Sequence, residues 1–256
     1  MLWSEPRSRG IWRGCEGSHV HGVDEPLLGV TEIARRIGPH KSAVSRTLAT
    51  LKRVGLVERD PRSGRFQPGI GVIGLAGPLL ANLDVRRVAR SALEATRRTE
   101  ETTALILWSR YEAISVEQIP SPRQVKHKSP IGTRYGRHAS SSVQVSLSEA
   151  QVRVLLERGL QQYSNRTEAD IDPYLARLAE VRQRGYAIND GETHLEEVGI
   201  AAPIHDHRDE PVAAVLLSAP RFRLARKALP AYGEAVHQTA HEITARLGGR
   251  PRTIDR

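Results

Sequence analysis

A single cysteine, Cys15, in 256 residues leaves no partner for an intrachain disulfide and no cluster for a cysteine-held metal. No apolar run approaches the roughly 20 residues that span a bilayer, and no secretory leader is read ahead of the first motif. The expected setting is reducing and cytoplasmic, without membrane contact. Catalytic signatures are missing too: there is no Gly-x-Ser-x-Gly elbow, no His-Glu-x-x-His pair and no Gly-x-x-x-x-Gly-Lys-Ser/Thr loop. No catalytic residue, metal site or cofactor is expected. His237 and His241 stand at i, i+4 beside Glu242, but lack a third ligand and read as a polar helix face. The chain neither repeats itself nor sustains a heptad pattern.

Acid is scarce in one place. The net charge is +9 and the isoelectric point about 10.2, which makes a polyanionic partner electrostatically plausible. Residues 31–68 hold nine Lys/Arg against three Asp/Glu, so most of the excess falls in 38 residues. The charge marks a site.

That site has a readable shape. Val30 to Leu48 reads as two short helices around a tight turn, with small Ala34 at the crossing and Gly38 free to take a positive φ. Val44, Leu48 and Leu51 recur at i, i+4, i+7 and give the second helix one buried stripe. Its opposite face carries Lys41, Ser42, Ser45, Arg46, Lys52 and Arg53, mostly hydrogen-bond donors. Such a helix suits a DNA major groove, where side chains reach base edges and phosphates together. Leu56 to Arg59 and Arg65 to Gln67 follow as a β-ribbon with its turn at Pro61–Gly64, placing Arg62 and Arg65 at the tip against phosphate or a minor groove. Thr31, at the first helix start, would anchor the backbone. A plain helical hairpin with a solvated basic face is the competing reading.

Four regions result: an irregular segment at 1–26, a winged helix-turn-helix at 27–69, a linker helix at 70–84 and a second domain at 85–250. The linker presents Ile70, Ile73, Leu79, Leu80 and Leu83 on a stripe interrupted by Pro78, and needs a partner surface. Asp84–Thr99 reads as an amphipathic helix with a solvated arginine face that includes Arg86 and Arg90. Thr103–Trp108 and Ala113–Ile119 form a hairpin, with Trp108 packed under the sheet and a further strand expected at Val125–Ser129. Helices are expected at 139–147, 149–159 and 173–184, the last with Leu175, Leu178 and Val181 inward. Strands at 186–189, 198–204 and 212–218 and a closing helix at 226–247 complete an α+β domain on a single sheet.

In order and spacing, Gly29–Gly38, Lys41–Arg46, Leu48–Leu51, Gly55–Asp60, Val181–Tyr186, Ala201–Ile204 and Val212–Pro220 resemble the IclR (isocitrate lyase regulator) family of bacterial transcription factors over about residues 29–248. The resemblance implies a winged helix-turn-helix, a linker helix that pairs subunits and a GAF-like effector-binding domain with an antiparallel sheet. It implies a homodimer or dimer of dimers on a pseudo-palindromic operator, repressing or activating a catabolic operon under a small organic-acid effector. Carried over by alignment, the effector pocket falls on Ser140, Ser141, Ser142, Asn189, Gly199, Leu216 and Ser218. Its usual acidic and cysteine positions are here Asn189 and Gly199, so the pocket should be roomier. Either the three serines hold a carboxylate with their hydroxyls and backbone N–H groups, or one caps a helix and the others face solvent. Val143-Gln144 stands where the family has Gly-Lys. The family's first helix has no counterpart in residues 1–26. An alternative is therefore a metabolite-binding module or GAF-like enzyme that has lost DNA binding.

Overall fold

The computed structural model describes residues 27–81, 84–109 and 112–250; the expected irregular segment 1–26 lies outside them. The chain divides into two compact units between residues 82 and 83.

In the first unit, α1 (Val30–Ile37) ends where Gly38 adopts φ 87° and returns its N–H to the Ala34 carbonyl, the left-handed stop that a side chain would strain. Helix α2 (Lys41–Arg53) buries Val44 and Leu48 on one stripe, about 1.5–3 kcal/mol each by transfer. Strands β1 (Val57–Arg59) and β2 (Phe66–Pro68) pair antiparallel with Glu58 opposite Gln67. Leu28, buried, extends the ribbon by exchanging two backbone hydrogen bonds with Phe66. Helix α3 (Gly71–Ala81) runs on through position 78 without the expected interruption. Ile70, Val72, Ile73 and Leu75 are exposed there, while the side chains of Leu79, Leu80 and Leu83 lie outside the described ones.

The second unit is a six-stranded antiparallel sheet in the order β5-β4-β3-β8-β7-β6. Its strands are β3 (Thr102–Ser109), β4 (Glu112–Ile119), β5 (Arg134–Tyr135), β6 (Ala187–Asp190), β7 (Glu197–His205) and β8 (Pro211–Pro220). Helices α4 (Asp84–Ala95) and α8 (Leu229–Arg246) pack together and against the central strands. Elsewhere the short α5 (Ser141–Gln144) lies against β7, β6, β8 and β4. Beyond it, α6 (Glu149–Arg158) and α7 (Ile171–Arg184) supply Val152, Tyr174 and Leu178 to one apolar cluster.

Four expectations need correction. Residues 125–129 form no strand: the Thr102 hydroxyl holds the His127 carbonyl and Arg223 holds that of Val125, so backbone groups a strand would pair are taken by side chains. The two-residue β5 pairs with β4 instead. The helix expected at 139–147 is helical only over Ser141–Gln144. In α7 the buried stripe is Tyr174, Leu178 and Val181, and Leu175 is 38% exposed. The arginine face of α4 is not simply solvated, because Arg86 donates to Glu117 at 3.1 Å and Arg90 lies 3.7 Å from the same carboxylate.

Candidate DNA interface and ligand site

In the first unit the buried stripe of α2 leaves Lys41, Ser42, Ser45 and Arg46 exposed on the other side, and Thr31 is exposed on α1. The side chains of Lys41, Ser45 and Arg46 have no hydrogen-bond or ion-pair partner among the described residues. Such a face is electrostatically unspent, ready for a polyanion. His40 caps α2: its Nδ1 accepts the Ser42 N–H at 3.3 Å and lies 2.9 Å from the Ser42 hydroxyl.

The ribbon tip is built by Asp60, whose carboxylate accepts the Ser63 N–H at 2.7 Å and the Ser63 hydroxyl. Those bonds hold the Asp60 carboxyl below the usual carboxylate range. The Arg62 side chain is left free at the tip, without a partner among the described residues, while its backbone N–H joins those of the turn on Asp60. Arg65 is not free in the same way. Its Nη1 donates to the Leu27 carbonyl at 3.1 Å and its Nη2 lies 3.7 Å from Glu32, which Arg36 also engages. The two tip arginines, alike in sequence, are thus unequal.

In the second unit Asn189, Gly199, Ser218 and Thr102 lie side by side in one cross-strand row. Leu216, two residues along β8, packs with Ala104, Ile106, Ala113, Ala201 and Ala214, a floor of mostly small side chains. Ser141 sits over this row: a Cβ added to Gly199 would meet its Oγ at 3.2 Å. Five of the seven expected pocket residues are therefore brought together. The serines are neither solvated nor capping by side chain. All three are buried, Ser140 makes no side-chain cap bond, and its hydroxyl lies 3.0 Å from that of Ser142. Trp108 does more than pack under the sheet; its Nε1–H donates to the Ser142 carbonyl at 3.1 Å.

Asn189 is occupied inside the protein. Its Oδ1 accepts the Glu192 N–H at 2.8 Å and its Nδ2 donates to the Thr193 hydroxyl at 2.6 Å, folding the turn after β6. In that turn burial pushes the Glu192 carboxyl up, and Arg177 opposes the shift. Among the described residues, two buried side-chain atoms have no partner: Ser218 Oγ and Gln144 Oε1. Buried polar atoms are nearly always satisfied, so these are the natural contacts for a ligand or a water. In the sequence Gln144 stands out only as a departure from the family's Gly-Lys; its burial follows from the packing of α5 against the sheet.

Beside α5 a shallow, solvent-open groove is lined by Trp108, His138, Val143, Leu147, Leu155 and Arg158, among others. His138 is buried with its Nε2 3.0 Å from the Glu168 carbonyl, and burial lowers its pKa. Tyr135 contacts the Ser129 hydroxyl, and burial pushes its own hydroxyl up to about 12. The His237/His241 pair, read as a polar face, turns inward: His237 is buried with its ring 4.0 Å from that of His241, and burial lowers both pKa values. Among the described residues no cluster of three or more His, Cys, Asp or Glu could hold a metal, and no helix is long and apolar enough to cross a membrane.

Comparison with known proteins bears on both units. The IclR helix-turn-helix domain matches residues 22–61, and the bacterial transcriptional regulator IclR C-terminal domain matches residues 78–245. The chain is 30% identical over 230 residues to the transcriptional repressor IclR of Escherichia coli (strain K12), covering 87% of this chain and 84% of that protein. The crystal structure of a domain from an IclR-family transcriptional regulator is 46% identical, covers 66% of this chain and 99% of that one, and superposes with a TM-score of 0.60. An IclR homolog from Microbacterium hydrocarbonoxydans, complexed with 4-hydroxybenzoate, shares the fold at 24% identity and a TM-score of 0.72, with 93% of this chain and 98% of that chain covered.

Proposed function

The chain belongs to the IclR family of bacterial transcriptional regulators, and from that premise we propose how its parts divide the work of a DNA-binding regulator. Residues 27–69 dock on DNA, 70–84 pair two copies and 85–250 bind a small-molecule effector. Helix α2 enters the major groove, where Lys41, Ser42, Ser45 and Arg46 meet base edges and nearby phosphates. Thr31 and Arg62 hold the backbone, and Arg65 assists from its tether to Glu32. The exposed stripe Ile70, Val72, Ile73 and Leu75 supports pairing into a homodimer or a dimer of dimers. Two-fold symmetry then asks for a pseudo-palindromic operator.

One observation carries the DNA half: an exposed face of Lys41, Ser45 and Arg46, whose side chains have no polar partner among the described residues, backed by a buried stripe of Val44 and Leu48. A mobility-shift assay on a duplex from the chain's own upstream region tests it. Binding that exceeds binding to random duplex is expected. Equal binding to both would mark a nonspecific binder, and none would favour a metabolite-binding module that no longer engages DNA.

For the effector half we propose a small organic acid seated at Ser140–Ser142, Gly199, Leu216 and Ser218 over the turn that Asn189 folds, and acting on repression of a catabolic operon. The floor of alanines and Gly199 leaves room for a ring or a branch, and the Microbacterium complex makes aromatic acids the first class to try. Thermal-shift screening should find at least one stabilising acid. Stabilisation by none would count against the assignment.

A further inference from the structure

The hydrogen bonds between His40 and Ser42 bear on what the recognition helix can read, given the proposed seating of α2 in the major groove. A backbone N–H only donates, so the His40 Nδ1 that accepts from Ser42 N at 3.3 Å must present its lone pair. The ring proton is then on Nε2. The Ser42 Oγ lies 2.9 Å from the same Nδ1, and against a lone pair it meets that contact as the O–H donor. Ser42 thereby commits its one hydroxyl proton inside the protein. What it turns outward is acceptor lone pairs alone.

A serine on a recognition helix ordinarily serves either as donor or as acceptor, and so discriminates little among bases. Ser42 is the second residue of α2, in the N-terminal turn that such helices bring to base edges, and it is exposed. We infer that His40 acts as a specificity-determining positioning residue: it fixes Ser42 as an acceptor, so that each half-site places an exocyclic amino group, adenine N6 or cytosine N4, opposite Ser42. A guanine O6, purine N7 or thymine O4 in that place would oppose lone pair to lone pair. His40 itself needs no base contact.

Selection from a pool of randomised duplexes with the full-length chain, followed by anisotropy titration of the recovered duplex, tests this. At one position per half-site, replacing adenine by purine or cytosine by 2-pyrimidinone, which lack only the amino group, should weaken wild type roughly 2- to 10-fold, the size of one hydrogen bond. Ser42→Ala should be indifferent to that replacement. His40→Ala frees the hydroxyl proton and should accept guanine or thymine at that position about as well, rather than lose affinity uniformly as a merely weakened helix would. His40→Asn, whose Oδ1 can accept both Ser42 donors, should restore discrimination. The inference falls if the duplex is recovered but every amino deletion is silent, or if His40→Ala discriminates like wild type. Failure of wild type to enrich any duplex would instead bring down the DNA reading on which the inference rests.

Discussion

Arginine serves opposite ends in the two units. In the second unit it closes accounts with acids: Arg223 with Glu101, Arg177 with Glu192, Arg166 and Arg221 with Asp190, Arg86 with Glu117. In the first, Arg46 and Arg62 have no partner among the described residues, and only Arg36 and Arg65 are drawn to Glu32. The difference is supply. With nine bases against three acids over residues 31–68, most of these cations cannot find an anion within their own segment. A paired, desolvated arginine contributes to one fold; an unpaired, hydrated one is available to a partner that brings its own negative charge.

Removing one arginine of each kind tests that contrast most severely. Arg223 grips Glu101 with both arms, at 2.5 and 2.8 Å, and the Glu101 side chain is 1% exposed. Arg223→Ala leaves that carboxylate buried and alone, so chemical denaturation should show a loss of about 3 kcal/mol or more. Arg46→Ala, on an exposed face where its side chain has no polar partner among the described residues, should leave stability within about 0.5 kcal/mol. Its effect belongs to DNA: a relaxed sequence preference worth about 1–3 kcal/mol if it reads a base edge. Equal loss on selected and random duplex would move Arg46 from base edge to phosphate.

The ribbon tip gives the same contrast within a single loop. Arg62→Ala should weaken binding to all duplexes alike and reduce the salt slope by about 1, the signature of one phosphate contact. Arg65→Ala should reduce it by less, because its guanidinium is already shared with Leu27 and Glu32. A larger slope change at Arg65 than at Arg62 would mean that the tether opens on DNA.

Where the physical cause is local, these distinctions were legible in the sequence. Gly38, the Val44/Leu48 stripe and the tight turn announce two helices, and the short, nearly continuous apolar runs of β3, β7 and β8 announce a sheet buried on both faces. Where the cause is tertiary, they were not. Val125–Ser129 is too polar to differ on paper from an edge strand, and only the Thr102 and Arg223 side chains that hold its carbonyls make it a loop. Arg65 and Arg62 differ through Glu32, about thirty residues away in sequence. In α7, Tyr174 displaced Leu175 from the core because its hydroxyl reaches the His138 carbonyl at 3.0 Å, a partner no periodicity reveals.

His237 is another such case, and it sets a pH dependence for the second unit. Burial lowers its pKa to about 4, so the folded chain refuses a proton that the unfolded chain takes up below about 6.5. The stability this contributes is complete above about pH 6.5 and is lost as pH falls towards 4. His241 beside it shifts the same way by burial. Denaturation midpoints measured between pH 7 and 4.5 should fall for wild type and fall less for His237→Gln. A parallel fall in both would place the titration elsewhere.

The smallest effect on stability, and the sharpest on function, should come from the two unpartnered buried atoms. An unsatisfied polar group costs about 1–3 kcal/mol, whereas an apolar replacement of similar shape removes that cost. Ser218→Ala should therefore leave the unliganded chain as stable as wild type, or slightly more so, and Gln144→Leu should come close to it, because relief of Oε1 offsets the lost 3.3 Å bond from Nε2 to the Ala139 carbonyl. If these atoms exist for an effector, the same substitutions should remove the thermal shift given by any acid that stabilises wild type. If ordered water satisfies them instead, Ser218→Ala should lose stability and both variants should keep the response. The signs of the two changes thus separate a ligand site from a hydrated core, using measurements on three proteins and one small molecule.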